Sequence, residues 1–330
     1  MKPTRVLVTG ATGFTGGHLC ERLVREGESV RALVRDPCRA SRLKQLGVEL
    51  ALGDLRDRTS VEQAMAGIDI VYHVGAEFRH ENLSRSEMRK VNVDGTRNML
   101  DAAVKAGVER FIHCSTVGVH GDVKDPPANE NAPYAPGDVY QHSKTDAERL
   151  VVQYANEARL PSVIFRPGGI YGPGDLRFLK LFKAIKNRRF IMLGSGQVLY
   201  QVVYIDDLIE GILLCGRNDK AIGKTYILTG DEPATLNQLV RVIAEAVGVR
   251  GTRLRFPVMP VYLAGALCEL ICKPFGVNPP LYRRRVDFFR KTRSFDISKA
   301  KSELGFEPRV DLRSGINRTA AWYRQEGLLS

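Results

Sequence analysis

The first half of the chain alternates between two hydrophobic rhythms. Short apolar runs, beginning with Val6-Leu7-Val8, are closed by turn-forming or small residues, and helical patterns follow them. Runs at 29–34, 48–52, 68–74, 111–114 and 162–165 read as buried strands. Residues 59–66, 86–106 and 140–158 read as helices between them. Alternation at this pace predicts an α/β chain with a doubly wound parallel sheet. After residue 175 the alternation lapses. Helices are expected at 176–187, 206–216 and 235–247, and strands at 201–205 and 224–229. The chain therefore divides into a larger domain, 1–175, and a smaller lobe, 176–330, some segments of which return to the first domain.

One stretch fits neither rhythm. Pro257 to Ile271 is almost wholly apolar, and Arg283-Arg284-Arg285 and Arg290-Lys291-Thr292-Arg293 follow it. The plain reading is a buried helix of the second lobe followed by a solvated basic face. The sharper reading is a hydrophobic lid or a peripheral membrane contact.

The first strand leads into chemistry. It ends at Gly10, Gly13 and Gly16 follow at intervals of three, and His18-Leu19 and Leu23-Val24 begin a helix. Such a turn presents free backbone N–H groups and the positive end of a helix dipole, which together attract a pyrophosphate. Gly10 suits the tight turn, Gly13 the approach of the ligand, and Gly16 the packing of helix on strand. The spacing is G-x-x-G-x-x-G rather than G-x-G-x-x-G, and a merely structural turn is the alternative.

With that turn, 1–175 reads as a dinucleotide-binding domain and 176–330 as a mainly substrate-binding lobe. The second strand ends at Arg35-Asp36, where the adenine ribose would lie. A guanidinium there, with Arg39 and Arg42 nearby, suits a 2′-phosphate and favours NADP(H). Asp36 on the ribose would favour NAD(H) instead. Asp54 could reach the adenine amino group, or cap the helix at 59–66. The small residues in Val74-Gly75-Ala76 leave room for a ligand at a strand end, and His73 is expected to pack in the fold.

Tyr140 and Lys144 share one helix face at i and i+4, and Ser115-Thr116 sits at the tip of the fifth strand. A tyrosine hydroxyl titrates near 10, too high for a base at neutral pH. An ammonium one turn away lowers that value. Tyr140 would then take the proton of an alcohol as hydride leaves its carbon, or protonate a reduced ketone. Thr116 or Ser115 would hold the substrate oxygen. The loop Arg166 to Asp175, rich in turn formers just past a strand end, is a place where substrate sites form.

Composition narrows the class. The chain has 330 residues, six cysteines and a net charge of +12. No C-x-x-C pair or metal spacing is present, so a reduced, intracellular protein without a metal site is expected. No signal peptide and no apolar stretch of membrane-spanning length is seen, which suggests a cytoplasmic location. The charge suits a basic surface or anionic small molecules, and no nucleic-acid-binding module accompanies it.

Taken together, these motifs resemble the extended short-chain dehydrogenases/reductases. They are Thr9-Gly10-Ala11-Thr12-Gly13-Phe14-Thr15-Gly16, Asp54-Leu55, the Asn92 segment, Ser115-Thr116 before Val119-His120-Gly121, Tyr140-x-x-x-Lys144 and Arg166-Pro167…Tyr171-Gly172-Pro173. Val203 to Asp207 and Phe295 to Pro308 extend the match almost to the C-terminus. The resemblance implies a Rossmann sheet and a homodimer paired through the tyrosine-bearing helix. It makes Tyr140 the acid/base, Lys144 the ribose-binding residue that tunes it, and Thr116 the catalytic hydroxyl. Asn92 matches an asparagine near the cofactor. The glycine loop with Thr12, Phe14 and Thr15, together with Leu55, Val74 and Pro167, would line the cofactor.

Three departures bear on the substrate. Val117-Gly118 stand where the 4,6-dehydratases of this superfamily carry Asp-Glu, so water elimination lacks its acid and base. Tyr200-Gln201-Val202 replace the Arg-Asp-Phe of many sugar-nucleotide enzymes, removing a diphosphate contact for which Arg177 or Arg283 could substitute. The apolar 257–272 segment with the Arg283-Arg284-Arg285 run resembles the 3β-hydroxysteroid dehydrogenase and dihydroflavonol reductase branches, whose substrates are apolar, and Val30 to Pro37 is similar to the reductases' cofactor-binding strand. The expected activity is interconversion of a secondary alcohol and a ketone on a fairly hydrophobic small molecule. A nucleotide-sugar 4-epimerase with retained NAD is the main alternative, and a non-catalytic nucleotide-binding sensor or scaffold the second.

Overall fold

The computed structural model describes residues 3–78, 84–250, 254–272, 274, 277 and 279–329. Within the 257–293 stretch, residues 273, 275, 276 and 278 and the side chain of Arg284 lie outside the described set.

Seven strands build the main sheet: β1 (Arg5–Thr9), β2 (Ser29–Val34), β3 (Glu49–Leu52), β4 (Ile70–His73), β5 (Arg110–Cys114), β6 (Ser162–Pro167) and β7 (Thr225–Leu228). Their order is β7-β6-β5-β4-β1-β2-β3, and every pairing is parallel. The apolar runs are continuous because both faces of the sheet are covered. Val6, Val8, Ile112, Val163 and Phe165 enter one core, while Leu7, Val71, Phe111 and Ile164 enter the other. The order reverses at β1, which lies between β4 and β2. The crevice beyond the ends of β1 and β4 is therefore the topological switch point, where ligands bind in such sheets.

Helix α1 (Phe14–Arg25) buries Leu19, Cys20 and Leu23 on the first core. On the opposite side, α2 (Gly95–Ala106) contributes Met99 and Leu100 to the second core, and α3 (Val139–Asn156) contributes Val151 and Tyr154. The single helix expected over 86–106 is interrupted. A helical turn at Arg85–Arg89 passes through a π-helical turn, Lys90–Asp94, into α2. Such bulges recur at functional sites, and this one carries Asn92.

The second half of the chain contributes α4 (Ile205–Arg217), α5 (Leu236–Ala246), α6 (Val258–Cys272) and α7 (Leu312–Gln325). A capping box from Thr235 and Gln238 starts α5. The strand expected at 201–205 is Val202–Tyr204 and pairs with Gly169–Tyr171 outside the main sheet. The one expected at 224–229 is β7 and lies against β6. The strap 292–296 returns to the first half, where Val123 and Ala128 donate to the carbonyls of Thr292 and Ser294, both at 3.0 Å. The buried helix expected over 257–271 is not found: only Gly265 of α6 is buried.

Candidate active site

The glycine turn leaves an open cradle at the switch point. Gly10 has φ +71°, and a Cβ there would stand 2.8 Å from the Gly75 backbone, at the exit of β4. A Cβ on Gly16 would stand 2.3 Å from the Gly10 carbonyl oxygen. Gly13 occupies the N-cap of α1 without a side-chain cap. The first N–H groups of α1 are thus free of any capping side chain, as an anionic ligand needs. Thr12 and Gly13 are exposed, and Phe14 and Thr15 half-buried, around this turn. His18 donates to the Pro173 carbonyl at 3.0 Å, so α1 is tied to the loop after β6. Pro167 ends β6 in a buried position beside Leu228.

His73 fixes the floor of the crevice. The Gly75 N–H donates to Thr9 Oγ1 at 2.9 Å, and the Thr9 hydroxyl donates to His73 Nδ1 at 2.8 Å. His73 Nε2–H then donates to Thr96 Oγ1 at 3.0 Å, which donates to the Asn92 carbonyl at 2.7 Å. This directionality requires a neutral imidazole with its proton on Nε2. Burial, reinforced by Lys144, lowers its pKa to about 3. His73 packs, as expected, and does so as a link between strand ends and the π turn.

At the rim, Arg35 is exposed, with Nη1 3.8 Å from Glu77 Oε2. Asp36 accepts from the Cys38 N–H at 2.9 Å and opens the short turn Pro37–Ala40. Arg42 pairs with Glu21 at 2.5 Å. Asp54 does not cap the following helix: Asp57 does, for Arg58–Met65. Asp54 instead holds Arg56 in a bidentate pair, at 3.0 and 2.8 Å, and that bond lowers its pKa. The Leu55 carbonyl accepts from Asn98 at 2.8 Å. Val74 and Ala76 are half-buried on either side of Gly75.

Tyr140 stands in the first turn of α3, after Asp138, which accepts from the Gln141 N–H at 2.8 Å as N-cap. Its ring meets Phe78 edge-on at 4.7 Å. Asn92 joins the β4 exit to this helix. Its Oδ1 accepts from the Glu77 N–H at 2.7 Å, and its Nδ2 donates to the Glu77 carbonyl at 3.0 Å and to Ser143 Oγ at 2.9 Å. Ser143 in turn donates to the Tyr140 carbonyl at 2.7 Å. Lys144, buried, donates from Nζ to the Cys114 carbonyl at 2.6 Å. Burial lowers the pKa of its ammonium, offset only in part by Cys114 and Glu148.

The two hydroxyls at the tip of β5 differ. Ser115 is buried and donates to Glu148 Oε2. Thr116 is half-buried, caps the short turn Val117–His120 and accepts from the Gly118 N–H at 3.1 Å. Beneath them lies a polar network whose Glu148, Tyr134 and Arg166 contacts sequence reasoning missed. Glu148 accepts from the Tyr134 hydroxyl at 2.8 Å and from Arg166 Nε at 3.1 Å. Arg166 Nη1 donates to the Glu130 carbonyl and to His120 Nε2, each at 2.9 Å, and Nη2 reaches the Tyr134 hydroxyl at 3.2 Å. Burial alone would raise the Glu148 pKa, yet the Arg166, Ser115 and Tyr134 bonds bring it below the ordinary value. The signal was available: Tyr140, Lys144 and Glu148 recur at intervals of four and share a face of α3.

Gln201 is also structural. It donates to the Gly230 carbonyl at 2.7 Å and accepts from the Phe295 N–H at 2.7 Å. Neighbouring Tyr200 packs edge-on against Phe288 at 5.4 Å, and the Arg293 guanidinium lies 5.5 Å from its ring centre.

A cradle at a switch point, beside a helix carrying Tyr140 over a buried Lys144, defines a dinucleotide-dependent enzyme. The chain belongs to the NAD dependent epimerase/dehydratase family, matched over residues 6–228. It is an NAD(P)-dependent oxidoreductase of the extended short-chain dehydrogenase/reductase type. It is 31% identical to a 4-hydroxy-2-methyl-3-oxo-4-farnesyl-3,4-dihydroquinoline-1-oxide ketoreductase of Stigmatella aurantiaca, covering 95% of each chain. It is 30% identical to a 3 beta-hydroxysteroid dehydrogenase/Delta 5-->4-isomerase of Mycobacterium tuberculosis, covering 97% of this chain and 90% of the relative. A UDP-glucose 4-epimerase of Thermotoga maritima, solved with UDP-glucose, shares the fold at TM-score 0.80 and 22% identity, over 98% of this chain and 99% of the other.

Proposed function

We propose that the chain interconverts a secondary alcohol and a ketone on an apolar small molecule and prefers NADP(H). Residues 1–175 hold the cofactor, and 176–330 mainly shape the substrate pocket. The cradle fits a dinucleotide: the α1 N–H groups and glycines at 10, 13 and 16 receive the pyrophosphate, and Lys144 the nicotinamide ribose. Bound there, the nicotinamide supplies or accepts the hydride. Tyr140 moves the proton at the substrate oxygen, and Thr116 steadies that oxygen with its hydroxyl. Asn92, through Glu77 and Ser143, positions the β4 exit against the tyrosine helix.

One observation carries the apolar substrate: Tyr200, at the position where many sugar-nucleotide enzymes carry an arginine, forms an aromatic pair with Phe288. The relatives named for a farnesylated quinoline oxide and a hydroxysteroid support the same reading. Arg35 at the tip of β2 supports NADP(H), since an exposed guanidinium can pair with a 2′-phosphate.

A second reading, a nucleotide-sugar 4-epimerase, draws on Arg293, whose guanidinium over Tyr200 could meet a diphosphate. Incubation with NADPH and a panel of apolar ketones, and separately with UDP-sugars, decides between them. Stoichiometric NADPH oxidation with a ketone is expected. Epimerised UDP-sugar without net cofactor turnover would overturn it.

A further inference from the structure

Helix α6 turns its apolar surface outward. Met259, Leu263, Leu267, Leu270 and Ile271 are 50% to 72% exposed. At about 100° per residue they fall on one face of the helix. The opposite face makes the contacts. Gly265 lies against the Arg283 backbone, Tyr262 carries the Arg290 guanidinium 4.0 Å from its ring centre, and Glu269 accepts from Arg283 Nε at 2.8 Å. Leu254 and Phe256, just before α6 in the chain, are exposed as well. A contiguous apolar surface of this kind marks an interaction site.

The charge around it selects the partner. Residues 250–293 contain ten lysines and arginines against Glu269 and Asp287, a net +8 of the chain's +12. A symmetric contact with a second copy would set this basic segment against itself. An anionic surface would be attracted to it. The fifteen residues of α6 span about 22 Å, short of the roughly 30 Å hydrocarbon core of a bilayer. No helix among the described residues is long and apolar enough to cross a membrane.

We propose that α6 is an interfacial anchor that docks the protein on an anionic lipid bilayer. Its outward face enters the headgroup–acyl boundary, and the flanking basic segment meets the headgroups. The assignment is independent of the substrate, because docking is read without turnover.

Flotation of the full chain with vesicles tests it. Binding to phosphatidylcholine–phosphatidylglycerol vesicles is expected, at least about tenfold tighter than to phosphatidylcholine alone and weakening as salt is raised. The triple variant Leu263→Ser, Leu267→Ser, Leu270→Ser should lose about tenfold or more of that binding while keeping its circular dichroism and thermal unfolding. Arg285→Glu, which leaves the apolar face intact, should weaken binding to the anionic vesicles alone. Absence of vesicle binding by the wild-type chain would overturn the proposal, as would unchanged binding by both variants. A wild-type dimer that the triple variant converts to monomer, with no lipid binding, would assign the face to a second copy instead.

Discussion

Ser115 donates its hydroxyl proton to the buried carboxylate of Glu148, while the next residue, Thr116, holds its hydroxyl in a half-buried turn at the same strand tip. Two adjacent hydroxyls therefore serve different ends. Ser115→Ala removes one donor from a buried carboxylate and should cost about 1–3 kcal/mol of stability, with turnover largely kept. Thr116→Ala should lower kcat by about 10²–10³, the usual effect of losing one donor to a reacting oxygen, with little change in Tm. Thermal unfolding and steady-state rates on both variants check this. A reversed pattern would exchange the two roles.

Tyr140→Phe should reduce kcat by about 10²–10⁴, the range of a lost general acid/base. Cofactor affinity, measured by fluorescence quenching, should stay near wild type, because the cradle and Lys144 are untouched. Unchanged turnover would remove Tyr140 from the chemistry.

Arg35→Ala should weaken NADPH by about 10- to 100-fold, the value of one or two hydrogen bonds to a charged phosphate, and leave NADH nearly unaffected. Equal losses for both cofactors, measured by titration, would show that Arg35 does not read the 2′-phosphate.

Gly16→Ala places a methyl 2.3 Å from the Gly10 carbonyl oxygen, and the obstacle is backbone rather than a movable side chain. The start of α1 must shift away from the turn. The expected result is a lowered Tm and loss of binding to both cofactors. Wild-type affinity in this variant would mean that the helix approaches the strand less closely than described.

Acid should destabilise the fold through two kinds of group. His73 is buried neutral, with its pKa lowered to about 3, and burial also lowers that of His113, whose ring nitrogens have no hydrogen-bond partner among the described residues. The unfolded chain binds these protons below about pH 6.5 and the folded one does not, so His73 removes about 2 kcal/mol by pH 5 and His113 acts in the same direction. Glu148 adds a second loss at lower pH. Its native pKa is depressed, so its contribution is present above the ordinary glutamate value of about 4.3 and fades as pH falls through the lowered native one. His113→Phe should flatten the decline between pH 7 and 5 without a large cost at neutral pH, since it replaces an unpaired ring with an apolar one. Urea unfolding across this range measures it, and an unchanged slope would exclude His113 as a source.

Much of this arrangement was legible in the sequence. The apolar runs gave the strands because a parallel sheet covered on both faces needs no alternation, and Val6-Leu7-Val8 feeds two cores at once. The glycine spacing marked the cradle because only a residue without Cβ fits where Gly10 meets Gly75. What stayed hidden depended on long-range pairing. Asp54 reads as a cap for the following helix until the helix start at Arg58, with Asp57 before it, is seen. Ser115 reads as a catalytic hydroxyl until Glu148, 33 residues on, claims it. The apolar run at 257–271 carries no mark of which side faces the protein, and α6 is the element whose burial sequence reasoning misjudged.

The position of β7 has a practical consequence for anyone dividing this protein. Thr225–Leu228 completes the sheet beside β6, and Ile227 donates its backbone N–H to Glu130 Oε1 in the first half. A fragment ending at residue 175 would leave the β6 backbone unpaired along an apolar border, an invitation to self-association rather than a working nucleotide module. The chain should be expressed whole, or split and co-expressed so that the later piece can restore the missing border.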